Sequence, residues 1–251
     1  MVMIAQPANT QPTFPGYTFV GSDEFDGPAW SAPNPTFWDY EVGGGGWGNN
    51  EQQVYTSNRE NSRLDGDGRL LIEARRTWSG FTSARLVTRD RFEFTYGVVE
   101  ARIKVPAGKG LHPAFWTLGS NIHEVGWPAC GEIDILEVIG DGSRYHAGVH
   151  GPTGDSERWE RSVDGTIGAN LSASFHDYAL IKAPGSISVA IDRQIIGTVT
   201  AADLTPAEQW VFDAPAYLLL NVAVGGNWPG PVDYTTPFPA TMAVEWVRFY
   251  A

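Results

Sequence analysis

Short β-type runs, broken again and again by glycine and proline, constrain the fold of this chain more than any other feature. Arg69–Arg75, Tyr96–Val105, Ser186–Ile191, Tyr217–Val224 and Met242–Tyr250 are such runs. Several alternate apolar and polar residues with period 2, as half-buried strands do. Asp65-Gly-Asp-Gly68 and Asp192-Arg193 read as hairpin turns between them. No window keeps a helical period through three turns. Thr205-Pro206-Ala207-Glu208 is the one helix signal, a capping box with proline at the first helical position. It predicts a turn or two of helix. Many short strands with almost no helix predict an all-β fold, an antiparallel sandwich of two sheets.

The chain has 251 residues, a length at which all-β sandwiches are commonly single domains. Residues 1–16 are rich in proline and small polar groups and read as a flexible lead-in. Residues 17–251 then form one domain, without linker or internal repeat. The N-terminus lacks a basic region and a full apolar stretch, so it is not an intact signal peptide. No run reaches the ~20 apolar residues of a membrane-spanning helix. Seventeen Lys+Arg against 29 Asp+Glu give a net charge of −12. Such a field repels phosphate backbones and anionic lipid, which argues against nucleic-acid and membrane partners. The single cysteine, Cys130, permits no intrachain disulfide and reads as a small buried filler. Ten tryptophans exceed what a Val/Leu/Ile core asks for, so some are expected to line a surface.

The sharpest local feature is the apolar strand Gly131–Val138, which carries Glu132, Asp134 and Glu137. Residues i and i+2 of a strand share a face, so Glu132 and Asp134 point the same way. Regular alternation sends Glu137 to the other face, and a one-residue bulge after Asp134 brings it back. Three acids close together raise one another's pKa, which keeps a proton in the cluster near neutral pH. Glycoside hydrolysis needs one ionised and one protonated carboxyl. The outer Cα atoms would lie on the order of 13 Å apart, at ~3.3 Å per residue. Inward-leaning side chains could narrow this to the ~5–5.5 Å of a retaining enzyme, and the spacing leaves inversion open. A solvated acidic face or a calcium site is the plainer reading of Glu-x-Asp-x-x-Glu alone. Trp116 and Trp127 just ahead of the acids favour a sugar site, because sugar C–H faces pack on aromatic rings.

Glu132-Ile-Asp-Ile-Leu-Glu137, preceded by Trp127-Pro-Ala-Cys-Gly131, resembles the signature of glycoside hydrolase family 16 in its laminarinase branch. Further landmarks follow in order: Gly21–Gly27, Trp47–Thr56, Phe175–Leu180, Asn221–Gly230 and Val244–Tyr250. The resemblance implies a β-jelly roll with a concave glucan cleft. It implies endo-acting hydrolysis of β-1,3-glucans with retention, without a catalytic cofactor. It implies Glu132 as nucleophile, Asp134 as its assistant and Glu137 as acid/base. Mixed-linkage β-glucan hydrolysis, transglycosylation and a non-catalytic glucan-binding role remain rivals at this point. The expected protein is a secreted monomer whose partner is a neutral β-glucan.

For substrate contacts the expectation is Asn50, Arg85, Trp116, Trp127, His150, Asn227 and Trp228. Trp228 lies between Gly226-Asn227 and Pro229-Gly230, so it sits in a loop, where an exposed tryptophan needs a reason. His112 and His123 read as structural or loop residues, Trp210 and Trp246 as core, and Trp47 is undecided. The resemblance also implies a structural calcium held by Glu24, Gly66 and Glu245, with Gly68 competing for the glycine position and glutamate standing at 245 where the family usually has aspartate. These residues can supply the hard oxygen ligands that calcium takes.

Overall fold

A computed structural model describes residues 12–251. In chain order its strands are β1 (Phe19–Asp23), β2 (Asp39–Tyr40), β3 (Gln53–Tyr55), β4 (Ser62–Leu64), β5 (Leu70–Thr77), β6 (Gly80–Ser83), β7 (Arg85–Val87), β8 (Gly97–Lys104) and β9 (Leu111–Gly119). Then follow β10 (Glu132–Glu137), β11 (Tyr145–Pro152), β12 (Arg158–Gly165), β13 (His176–Ala183), β14 (Ser186–Ile191), β15 (Gln194–Thr200), β16 (Ala216–Val224) and β17 (Ala240–Tyr250). Ten strands form one sheet, in the order β15-β14-β13-β8-β17-β5-β6-β3, with β1 on β17 and β4 on β5. The other seven form the second sheet, β12-β11-β10-β9-β16-β7-β2. This is the expected two-sheet β-jelly roll. All pairings are antiparallel except β3 with β6.

The core lies between the sheets, and strand alternation fills it. From the seven-stranded sheet come Leu86, Leu111, Phe115, Ile133, Ile135, Leu136, Leu218, Leu220 and Val222. The facing sheet supplies Leu70, Ile72, Val99, Ile103, Leu180, Val189 and Val247. Each fully buried aliphatic side chain contributes roughly 1.5–3 kcal/mol relative to exposure. The alternate residues of the seven-stranded sheet point away from the core onto an open face. There Trp116, Leu118, Tyr217, Leu219 and Val87 form a second apolar cluster. Burial on both faces explains why all nine residues of β16 are apolar except Asn221.

Both expected hairpins are present. Asp192 and Arg193 take positive φ (49° and 63°) between β14 and β15, the geometry that follows the right-handed strand twist. Several expectations need correction. Thr205–Glu208 forms a turn, not a helix: Glu208 Oε2 accepts the Thr205 N–H at 2.8 Å, but the chain leaves in an extended bridge from Glu208 to Thr153. Among the described residues, helix is confined to Ile122–Val125 and a 3-10 turn at Ala201–Asp203. Residues 1–11 of the proposed lead-in lie outside the described residues. Within the rest of it, Phe14 is buried, its ring 5.6 Å from that of Tyr250, so the packed body begins before residue 17. Trp246 is not core. A bulge between Val244 and Trp246 turns it outward, under the Arg248 guanidinium at 4.0 Å.

Candidate active site

Strand β10 lies between β9 and β11, and its register carries the site. Glu132 stands opposite Leu118 and His150, and Asp134 opposite Trp116 and Gly148. Between Asp134 and Leu136 the register against β9 shifts, and Glu137 then stands opposite Ala114 and His146. That shift is the bulge expected from the acid spacing. It places Ile135 and Leu136 both in the core and returns Glu137 to the open face beside Glu132 and Asp134.

Each carboxyl has its own partner. Trp127 Nε1 donates to Glu132 Oε2 at 2.7 Å. Asp134 is 3% exposed, hydrogen-bonded to Glu132, and its Oδ2 lies 2.9 Å from His150 Nε2. His112 Nε2 lies 2.8 Å from Glu137 Oε1. Burial, followed by the charges of Asp134 and Glu137, pushes the Glu132 carboxyl up to about 8. Burial and the Glu137 charge also hold Asp134 well above the usual carboxylate range. The strand therefore keeps protons that isolated carboxyls would lose. Burial opposes a charge on His112, but the hydrogen bond and charge of Glu137 outweigh it and raise its pKa.

The proposed substrate contacts are placed unequally. Trp127 and Trp228 stand 48% and 45% exposed at the open face. The Trp228 ring meets His112 and His146 edge-on, at centroid distances of 5.2 and 4.7 Å. Trp116 lies on the sheet floor, its Nε1 donating to Asn221 Oδ1 at 2.7 Å. Asn50 Nδ2 donates to Asn227 Oδ1 at 2.8 Å, joining two exposed loops. Arg85 does not reach outward. Its guanidinium lies between the Trp47 and Trp116 rings, at 4.8 and 4.7 Å, and pairs with Glu41 at 2.7 Å. It supports the wall of the site.

Four site residues were missed or undecided from sequence: His112, His146, Asn221 and Trp47. A period-2 signal was available for the histidines, since His112 is four residues before Trp116 and His146 four before His150. Asn221 was legible as the lone polar residue of an apolar strand. Trp47 stacks on Arg85, a contact set by a loop.

The calcium set does not fit as side-chain ligands. Both oxygens of Glu24 accept from Arg248 at 2.9 Å, and Glu245 pairs with Arg102 at 2.8 Å and Arg69 at 3.7 Å. Guanidinium groups already neutralise both carboxylates, and Gly66 can offer only its backbone. Elsewhere, donor atoms of Glu132, Asp134 and His150 lie within 4.8 Å of one another. The His150–Asp134 contact and the Glu132–Asp134 hydrogen bond account for that closeness.

A two-sheet jelly roll whose open face joins clustered, proton-holding carboxyls to exposed tryptophans defines a class, the β-sandwich glycoside hydrolases. The sequence profile described as "Glycosyl hydrolases family 16" matches residues 47–248, and the chain belongs to that family. It is 40% identical to a protein named "Beta-glucanase" from Rhodothermus marinus, over 94% of this chain and 86% of that one. The endo-β-1,3-glucanase structure from Pyrococcus furiosus superposes with a TM-score of 0.84 at 42% identity, covering 94% of each chain. The catalytic domain of an endo-1,3-beta-glucanase (laminarinase) from Thermotoga petrophila does so with a TM-score of 0.84 at 38% identity, over 94% of this chain and 98% of that one.

Proposed function

We propose that the protein is a retaining endo-β-1,3-glucanase acting on laminarin-like polysaccharides. The bulge that gathers Glu132, Asp134 and Glu137 on one face carries this reading, and the relatives' names supply the linkage. Glu132 is the nucleophile: its carboxylate attacks the anomeric carbon and forms a glycosyl ester. The Trp127 N–H fixes one of its oxygens and leaves the other free to attack. Asp134 holds the shared proton and hydrogen-bonds Glu132, which limits charge repulsion as the nucleophile ionises. Glu137 protonates the leaving oxygen and then takes a proton from the water that hydrolyses the ester. Trp116, Trp127 and Trp228 pack against sugar faces, Asn50 and Asn227 contact hydroxyls, and His150, turned onto Asp134, supports the carboxyls instead of reaching the sugar.

No catalytic step calls for a cofactor. A polymer substrate cannot cross a membrane, so the enzyme is inferred to act outside the cell, as a monomer. No helix among the described residues is long and apolar enough to cross a membrane.

Replacing Glu132 by Gln and measuring reducing sugar from laminarin, lichenan, carboxymethyl cellulose and agarose tests the reading. The wild type is expected to prefer laminarin, and Glu132→Gln to lose at least about 10³-fold. Undiminished release by the variant would remove Glu132 from the mechanism. No release by the wild type from any β-glucan would point to a binding protein.

A further inference from the structure

His112 occupies the open face of β9, and Glu137 stands opposite Ala114 in the β9–β10 register. His112 is thus the diagonal cross-strand neighbour of Glu137, within reach of a long side chain. The contact is made: Nε2 to Oε1 is 2.8 Å, with the His112 side chain only 12% exposed. The other ring nitrogen, Nδ1, is buried and has no hydrogen-bond partner among the described residues. A second imidazole, His146, also stands opposite Glu137, but its Nδ1 is bonded to Asp164 Oδ1 at 2.9 Å. The Trp228 ring packs edge-on against both histidines.

The orphaned Nδ1 decides the tautomer. An N–H buried there would lack an acceptor, which is unfavourable, so in the neutral ring the proton sits on Nε2. Nε2–H then donates to Glu137 Oε1. An oxygen accepting that bond does not present the catalytic proton, which is left to Oε2.

We propose that His112 is a positioning residue for Glu137, pinning Oε1 so that Oε2 delivers and recovers the catalytic proton. This rests on the acid/base reading of Glu137 given above. In the first half-reaction the Oε2 proton passes to the glycosidic oxygen. The C1–O bond breaks, its electron pair stays on that oxygen, and Glu132 bonds to C1. In the second, Oε2 takes a proton from water, the water oxygen bonds to C1, and the ester electron pair returns to Glu132. His112 keeps its Nε2–H throughout. The charged and titratable groups around the pair are Glu132 and Asp134 on β10, His146 on β11 with Asp164 behind it on β12, and Glu51 from the loop before β3.

The test compares kcat/KM for laminarin and for a 2,4-dinitrophenyl β-laminaribioside, whose leaving group departs without protonation. His112→Ala is expected to lower kcat/KM on laminarin by roughly 10–100-fold, part of the ~10²–10⁴ that acid catalysis supplies. It should leave the dinitrophenyl substrate within about threefold, and His112→Gln, which keeps an N–H donor, should recover much of the loss. Equal losses on both substrates would make His112 a structural support of Trp228 and overturn the proposal, as would no loss on either. Glu137→Gln run in parallel checks the underlying reading. If it too loses equally on both substrates, the acid assignment itself has failed.

Discussion

Three carboxyl groups on one strand face cannot all be charged near neutral pH when burial strips water from two of them. Desolvation is the first cause of the raised pKa at both Glu132 and Asp134, and neighbouring charge adds to it. A folded-state pKa of about 8 at Glu132, against an unfolded value near 4.5, has a thermodynamic cost. The folded form holds a proton that the unfolded chain has released, so this group's contribution is intact below about pH 4.5 and is lost as pH rises towards 8. Glu132→Gln cannot titrate. It should therefore match the wild type in thermal stability near pH 4 and exceed it increasingly up to pH 8, by up to a few kcal/mol. Melting temperatures across pH 4–9 check this, and a stability gap that does not widen with pH would contradict it. The same substitution is expected to abolish activity, so Glu132 is retained at the expense of stability.

At the scale of elements, β10 does most to make the site, and its period was legible in the sequence. The spacing Glu132, Asp134, Glu137 is irregular for a strand, and Ile135-Leu136 supplies the doubled apolar step that a bulge needs. What could not be read was the register against the neighbouring strands. His112 meets Glu137 across 25 residues of sequence, and Trp116 meets Asn221 across 105. Both contacts exist because of how β9 pairs with β10 and β16, which no local pattern encodes. Arg85 shows the same limit, since its position between Trp47 and Trp116 joins a strand to a loop. At Thr205–Glu208 a sound helix-start signal lost to tertiary pairing with Thr153. Deleting Ile135 tests the bulge directly. The acids then fall at i, i+2 and i+4, so a regular strand keeps Glu137 on the open face, and measurable activity should survive the deletion. Activity on laminarin together with a denaturant titration checks this, and a folded deletion variant without activity would show that the bulge does more than restore the phase of Glu137.

Across the whole molecule, eight of the ten tryptophans divide between core, site and outer sheet, while Trp30 and Trp78 stand exposed at 58% and 100%. Trp38 and Trp159 are in the core, with Trp210 packed half-buried against it. Trp47, Trp116, Trp127 and Trp228 surround the carboxyls, and Trp246 lies on the outer sheet beneath Arg248. The two-sheet plan makes this division possible, because one sheet face is free once the core is filled. Sequence composition gave the surplus of aromatics but not the sorting, which depends on strand phase. The net charge of −12 suits a neutral polymer such as β-glucan, which a negative field does not repel. The central claim is that this open face cleaves β-1,3-glucan by double displacement, Glu132 attacking from one side of the sugar and water later entering from the opposite side, where the leaving group departed. A proton NMR time course of laminarin hydrolysis by the wild type tests it most directly. The β-anomer of the new reducing end should appear first and convert to α only at the rate of mutarotation. An α-anomer signal that appears first would contradict the account.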